Sequence, residues 1–382
     1  MSPFVFLTGA TGFIGRHWAY ELLVSEPELR VVALVRGSDH EAALERVRHS
    51  ITRAALVRGR AISEHALSRV EVVLGDITLP RLGLDSAALG RLVAASVEEF
   101  WHFAATTEFD PAHAEQIAQT NFDGTLHALA VAQLLGSRRF LHMSSSYVCG
   151  LVSGDIEETL HPLTSPFANP YEISKSRAEH EVSARCSAVG LGYRIFRPSV
   201  VVGPESTGRA DNARHGLYGF MHALAGAAPV IAEAGAPLRL ECQAETPLNL
   251  VPVDTLVSAM ARLRRQRLPK GPIYHITAGQ SPTVETALAT VCDALRLPHF
   301  VLSTEPVTAP TPLEAAVADA TRKYAGYLKY PKRFRRSVGA HISVSEQDIV
   351  RFCAAWVAER ELRAARKVQQ PILGSGAPRA SY

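Results

Sequence analysis

Tyr171-Glu172-Ile173-Ser174-Lys175 places a phenol and an ammonium four residues apart, which on a helix is one turn and one face. No other Tyr-x-x-x-Lys occurs in the 382 residues. When hydride reaches a carbonyl, the resulting alkoxide must be protonated. A phenol can give that proton, and a nearby Lys⁺ is expected to lower the phenol pKa so that the proton exchanges. The same spacing also describes an ordinary surface pair, so it needs company. Met143-Ser144-Ser145-Ser146 lies upstream and offers hydroxyls that can polarise a carbonyl, although a loop serine is more often a turn former.

A second motif precedes both. Thr8-Gly9-Ala10-Thr11-Gly12-Phe13-Ile14-Gly15 follows a β-branched run and opens a helical pattern, the context a dinucleotide fingerprint requires. Gly9 suits the tight turn, Gly12 the close approach of backbone to pyrophosphate, and Gly15 the packing of helix on strand. The pyrophosphate would meet the unpaired N–H groups and positive dipole end of that helix. At the end of the next strand stands Arg36, where NAD-specific proteins carry an acid. A guanidinium there suits a 2′-phosphate, predicting NADPH, while nearby Asp39 keeps NADH as the alternative. Asp76 follows the third strand and is expected to accept from the adenine amino group or to cap a helix.

These residues must be held by alternating strands and helices. Runs at 4–7, 31–35, 70–74, 99–103, 140–144 and 193–196 read as strands. Helical spacing fills 14–23, 114–135 and 172–189. The alternation predicts an α/β fold: a doubly wound parallel (Rossmann) sheet with a smaller, discontinuous C-terminal substrate-binding cap. Residues 1–200 would be mainly the nucleotide-binding domain, with 245–280 returning to it through a buried strand at 249–253. Residues 201–244 and 281–365 would form the cap, and 366–382 a disordered tail.

Bulk properties narrow the partners. The chain is 47% hydrophobic and 20% charged with a net charge of +3, enough for a large core and too balanced to argue for nucleic acid. Five scattered cysteines form no CxxC pair and no metal-ligand cluster, so no metal is expected and a reducing, cytoplasmic setting is. The N-terminus is a poor signal peptide. The apolar stretch 215–232 contains two histidines and Pro229, and suits a cap over a substrate better than a membrane span.

Together, TGATGFIG, Asp76, His102-Phe103-Ala104-Ala105, Asn121-Phe122-Asp123-Gly124-Thr125, the serine-rich strand end and YEISK resemble the extended short-chain dehydrogenases over roughly residues 4–280. The resemblance implies that Ser145, five residues before Gly150, is the catalytic hydroxyl beside Tyr171 and Lys175. It further implies that Lys175 binds the nicotinamide ribose, that Asn121 plays a structural or relay part, and that Ile77, Ala104 and Pro198 touch cofactor. Ala33-Leu34-Val35-Arg36, Gly75-Asp76-Ile77, Phe167 to Tyr171 and Leu248 to Asp254 look most like the thioester-reductase and fatty-acyl-reductase branch. That branch implies NADPH-dependent reduction of an acyl chain on coenzyme A or a carrier protein to an aldehyde or alcohol. A ketone reductase of a hydrophobic metabolite would use the same triad. Ser146 and Tyr147 replace the acidic pair of sugar-nucleotide dehydratases, and Arg36 weighs against an NAD-retaining epimerase. The intact triad weighs against a non-catalytic nucleotide-binding protein.

No adenylation or carrier module precedes the first strand, so a thioester would arrive from another protein. The run Arg322 to Arg336, with seven cations among aromatic residues, is expected to present either a docking face for an acidic carrier protein or coenzyme A, or simply a solvated surface.

Overall fold

The computed structural model describes residues 4–369 apart from 212, 233–236, 267–271 and 338–340. Seven short strands form one parallel sheet: β1 (Phe4–Thr8), β2 (Arg30–Val35), β3 (Val70–Leu74), β4 (Val97–His102), β5 (Arg139–Met143), β6 (Gly192–Pro198) and β7 (Ile273–Ile276). Their order is β7-β6-β5-β4-β1-β2-β3. The order of strand addition reverses between β1 and β4, with β2 and β3 laid on one side of β1 and β4 to β7 on the other, and such a switch point opens a crevice at the strands' carboxyl ends.

Alternation along each strand feeds two cores. Leu7, Val31, Trp101 and Phe196 pack with Trp18 and Leu22 of the helix Phe13–Ser25 and with Leu256 and Met260 of the helix Val253–Arg265. On the other face Phe6, Val32, Phe100, Phe140 and Ile195 pack with Ala128 and Val182. Ring centroids of Phe6 and Phe100 are 4.6 Å apart, and those of Trp18 and Trp101 are 4.3 Å apart. Each fully buried side chain of this size contributes about 1.5–3 kcal/mol, so the strand ends that carry the site sit on a rigid floor.

A third core gathers the later chain. Tyr218, Met221 and Leu224 of the helix Gly216–Ala232 meet Val284, Leu288 and Val291 of the helix Val284–Leu295, and Phe352 and Trp356 of the helix Glu346–Gln369. Three parallel two-stranded pairs stitch it together: Val200–Val202 with Leu250–Pro252, Arg239–Glu241 with Val301–Ser303, and Gly154–Ile156 with Lys332–Phe334.

Two features depart from the sequence reading. The run at 249–253 does not join the main sheet: Leu250–Pro252 pairs with Val200–Val202, and the returning strand is β7. Pro198 ends β6, and Ser199 separates it from Val200–Val202, so that segment and its partner form a ladder of their own. The last helix runs through Gln369, past residue 366 where the tail was expected to start, and residues 370–382 lie outside the described ones. Among the described residues no helix is long and apolar enough to cross a membrane.

Candidate active site

The glycine loop is compact because two of its positions admit no side chain. Gly9 has φ +72°, and a Cβ there would lie 2.7 Å from the Ala104 nitrogen; at Gly15 a Cβ would lie 2.1 Å from the Gly9 carbonyl oxygen. Gly12 is the N-cap of the helix Phe13–Ser25 and offers no side-chain acceptor to its first N–H groups. Those donors are therefore available to an anion, as pyrophosphate binding requires.

Beneath the loop a buried polar chain locks β1 to β4. The Thr8 hydroxyl accepts from the Phe103 and Ala104 amides, both at 3.2 Å, and lies 2.9 Å from His102 Nδ1. His102 Nε2 is 3.1 Å from the Thr125 hydroxyl, which donates to the Asn121 carbonyl at 2.6 Å. This order assigns the proton to Nε2. Burial, and secondarily the charge of Lys175, push the His102 pKa down to about 3, so the ring is neutral.

The residues 114–134 form a nearly continuous helix with a π turn at Gln119–Asp123. Asn121 sits in that turn, fully buried. Its Oδ1 accepts from the Thr106 amide at 2.8 Å, and its Nδ2 donates to the Thr106 carbonyl at 3.0 Å and the Ser174 hydroxyl at 3.1 Å. Both ends of the amide are thus used in tying the loop after β4 to the helix that carries Tyr171.

That helix, Pro170–Val189, begins with Asn169 as N-cap, accepting from the Glu172 amide at 3.0 Å, and proline at its first position. The start places Tyr171 and Lys175 on the face toward β5. Lys175 is buried, and its Nζ donates to the Met143 carbonyl at 2.7 Å. Burial lowers its pKa to about 8, with Glu179 opposing the shift. Ser145 caps the turn Ser146–Cys149, accepting from the Tyr147 amide at 3.2 Å, and also hydrogen-bonds the Tyr171 hydroxyl.

One electrostatic expectation reverses. The Tyr171 pKa is raised, by burial first and by Glu172 second, with only the Ser145 bond pulling it down. Lys175 does not lower it, because that ammonium is turned to the Met143 carbonyl. The phenol is therefore protonated at neutral pH, the form that donates.

A cavity of about 350 Å³ brings the two motifs together. Gly9, Gly12, Phe13, Ile14 and Gly15 line it on one side; Ser145, Tyr171, Lys175 and Pro198 complete that end. Thr11, Arg36, Asp76, Ile77, Ala104 and Asn121 do not line it. Arg36 is exposed at the end of β2, with its carbonyl bonded by the Arg46 guanidinium. Asp39 is engaged in capping the helix His40–Val57, accepting from the Ala42 amide at 2.8 Å. Asp76 closes its own turn by accepting from the Thr78 amide and hydroxyl at 2.9 Å, and Ile77 fills the space over Gly124.

Ser144 and Ser199 are among the residues lining the cavity, and their buried hydroxyls have no protein partner. With the open helix N-terminus, these orphaned groups fit a nicotinamide dinucleotide whose amide end needs hydrogen bonds. Among the described residues no group of His, Cys, Asp and Glu could hold a metal.

Several neighbours were not singled out in the sequence. Glu172 is buried, accepts from the Ala168 amide at 3.0 Å, and burial raises its pKa to about 7. Asn169-x-x-Glu172 has the spacing of a capping box, which was the available signal. Tyr147, Phe109, Tyr324 and Tyr327 wall the reaction end, and Thr107 Oγ1 lies 2.7 Å from His215 Nδ1. No local pattern foretells that convergence.

Part of the basic run is engaged within the chain. Lys329 pairs with Glu241 at 2.7 Å, Arg333 with Asp155 at 2.7 Å, and Arg335 with the same aspartate; Lys332 is buried, and Arg336 donates to the Thr277 carbonyl at 3.1 Å.

Residues 7–260 match the family model described as male sterility protein. Fatty acyl-CoA reductase wat of Drosophila melanogaster is 26% identical, over 71% of this chain and 56% of its own length. Peramine synthetase A of Epichloe festucae (strain Fl1) is 33% identical over 54% of this chain and 7% of its own. The chain thus spans about half the length of the former and a small part of the latter. Among solved structures, the terminal R domain from the myxalamid PKS-NRPS biosynthetic pathway superposes with a TM-score of 0.72 at 22% identity, covering 94% of this chain and 92% of that one.

Proposed function

The chain belongs to the male sterility protein family, and on that premise we propose that it is an NADPH-dependent reductase that converts an acyl thioester to an aldehyde and a free thiol. The observation that carries this reading is one cavity with the Ser145, Tyr171 and Lys175 triad at one end and an apolar wall at the other. The 201–244 and 281–365 segments serve as the substrate cap, against a nucleotide domain of 1–200 and 245–280. Five buried, unpaired cysteines suit a reducing cytoplasm.

When bound, reduced nicotinamide supplies the hydride to the thioester carbonyl carbon. Ser145 orients the carbonyl by donating to its oxygen, and Tyr171 gives that oxygen its proton as charge develops there. The tetrahedral adduct then collapses: the C–S bond breaks, the carbonyl re-forms, and the oxygen's proton leaves with the sulfur as thiol. Lys175, its ammonium fixed on the Met143 carbonyl, binds the nicotinamide ribose, while Asn121 fixes the catalytic helix. A second round at the aldehyde gives an alcohol. The acyl group arrives on coenzyme A or a carrier protein. With purified protein, an acyl-CoA should consume NADPH and release thiol in step; NADPH consumption with ketones alone would turn the assignment to a ketone reductase.

NADPH preference rests on Arg36, joined by Arg46, with Asp39 withdrawn to its cap. Each charge-assisted bond to a 2′-phosphate contributes about 1.5–3 kcal/mol. Arg36→Ala should therefore weaken NADPH binding roughly 10- to 100-fold and leave NADH nearly unchanged in fluorescence titrations; equal losses would remove the 2′-phosphate role.

The pH profile should follow Lys175. Its folded pKa of about 8 means that the ammonium is present below that pH and lost above it. The rate of reduction should fall as pH rises through about 8, and Lys175→Arg should move that inflection upward. A wild-type profile flat through this range would contradict the role given to the charge.

A further inference from the structure

Beyond the reaction chamber the cavity continues between two helices. Val284, Ala287, Leu288 and Val291 all line it. Their spacing is i, i+3, i+4 and i+7, so they form one stripe along the helix Val284–Leu295. Leu217 and Phe220 of the helix Gly216–Ala232 line it as well. Thr283 caps the 284–295 helix, and the Val284 amide donates to the Thr246 carbonyl at 2.7 Å. The Leu248 amide donates to the Pro282 carbonyl at 2.9 Å. The start of the stripe is thereby pinned beside Leu248 and Leu250, and Leu250 pairs with Val200, two residues past Pro198. The stripe thus begins near the reacting end and leads away from it into the third core.

We propose that this stripe is an acyl-chain ruler, with the small side chain of Ala287 leaving room for the chain and Val291 standing near its end. The inference rests on the thioester reading and adds the class of acyl group: an unbranched, saturated chain of medium length. At a rise of about 1.5 Å per residue the stripe spans about 10 Å. An extended chain gains about 1.2 Å per bond, as the backbone's own reach per residue shows, so the stripe accommodates about eight carbons. The lining named along this stretch is apolar, while Ser145, Tyr171 and Lys175 stand at the reaction end and the Tyr324 phenol borders the stretch, its ring 5.7 Å from that of Phe220 between centroids. A charged or sugar-like group would be left there without partners, at the cost of burying it.

The test is a homologous series of straight-chain acyl-CoAs from butanoyl to hexadecanoyl, assayed with wild type, Ala287→Phe and Val291→Ala. Wild-type kcat/KM should rise with each added methylene through the medium-chain members and then level or fall. Ala287→Phe should move the optimum to shorter chains, lowering kcat/KM for decanoyl-CoA at least 10-fold while sparing butanoyl-CoA; Val291→Ala should move it to longer ones. Calorimetric titration with straight-chain primary alcohols reports the same ruler without turnover, and also verifies that each variant binds. If the chain-length profiles of the three proteins coincide, the ruler is wrong though the thioester reading stands. If no acyl-CoA is reduced but alcohol affinity still tracks chain length and Ala287→Phe, the thioester reading fails and the ruler survives.

Discussion

Tyr171→Phe should lower kcat for thioester reduction by about 10²- to 10⁴-fold, the range a positioned general acid supplies. The substitution removes one oxygen and leaves the ring, which packs 5.5 Å from Phe109 between ring centroids. NADPH affinity should stay within a few-fold of wild type, because the proposed hold on the dinucleotide is assigned to the glycine loop and Arg36, which the substitution leaves alone. Folding should be little disturbed, since the Asn169 cap and Pro170 that start the helix are untouched. The raised phenol pKa sharpens the expectation: the hydroxyl is protonated throughout the working range, so its loss removes a donor at every pH. Stopped-flow measurement of NADPH oxidation under saturating substrate isolates this step. A variant that turned over at more than a tenth of the wild-type rate would show that the proton comes from elsewhere.

Glu179→Ala should cost about 3–5 kcal/mol of folding stability, the penalty of stranding a buried charge. Glu179 lies one turn beyond Lys175 on the catalytic helix. Its carboxylate accepts from Arg197 Nε at 2.9 Å and from Nη2 at 2.6 Å, and both side chains are essentially without solvent exposure. Arg197 also reaches the Thr159 carbonyl at 2.8 Å and His161 Nε2 at 3.1 Å, joining β6 to the segment that follows Gly154–Ile156. Removing the carboxylate leaves the guanidinium with neutral acceptors only. The double variant Glu179→Leu/Arg197→Met should recover much of the loss, because an apolar pair carries no uncompensated charge. Denaturant midpoints of the single and double variants measure this. A single-variant loss below about 1 kcal/mol, the value of an exposed pair, would mean that the interior around Arg197 is wet.

The sheet was legible because its largely buried strands read as short runs of β-branched, aromatic and other apolar residues: the expected segments fall on β1 to β6 with shifts of one or two residues at most ends. Ile273–Ile276 escaped, since four residues containing Tyr and His carry too little pattern to distinguish a strand from a loop. The run at 249–253 had the right hydropathy and the wrong neighbour, because pairing partners depend on tertiary context. In the site, Tyr171, Lys175, Ser145 and the glycine loop were legible because the constraint is local: a helical spacing, a cap, a turn that excludes Cβ. Tyr327, His215 and Val284 were not, since each comes from a distant segment and enters the cavity only through packing. The charge of the 322–336 run was visible, but two of the acids it pairs with, Asp155 and Glu241, lie far away in sequence. The phenol pKa was expected to fall from proximity to Lys175, whereas burial, which no spacing reveals, drives it up.

Label transfer tests the central claim most directly. With NADPH deuterated at the transferring position and a medium-chain acyl-CoA, mass spectrometry should find one deuterium on the aldehyde carbon of the product, with one thiol released per NADPH consumed. Thiol release without labelled aldehyde or alcohol would be hydrolysis, and would contradict the assignment of this cavity to thioester reduction.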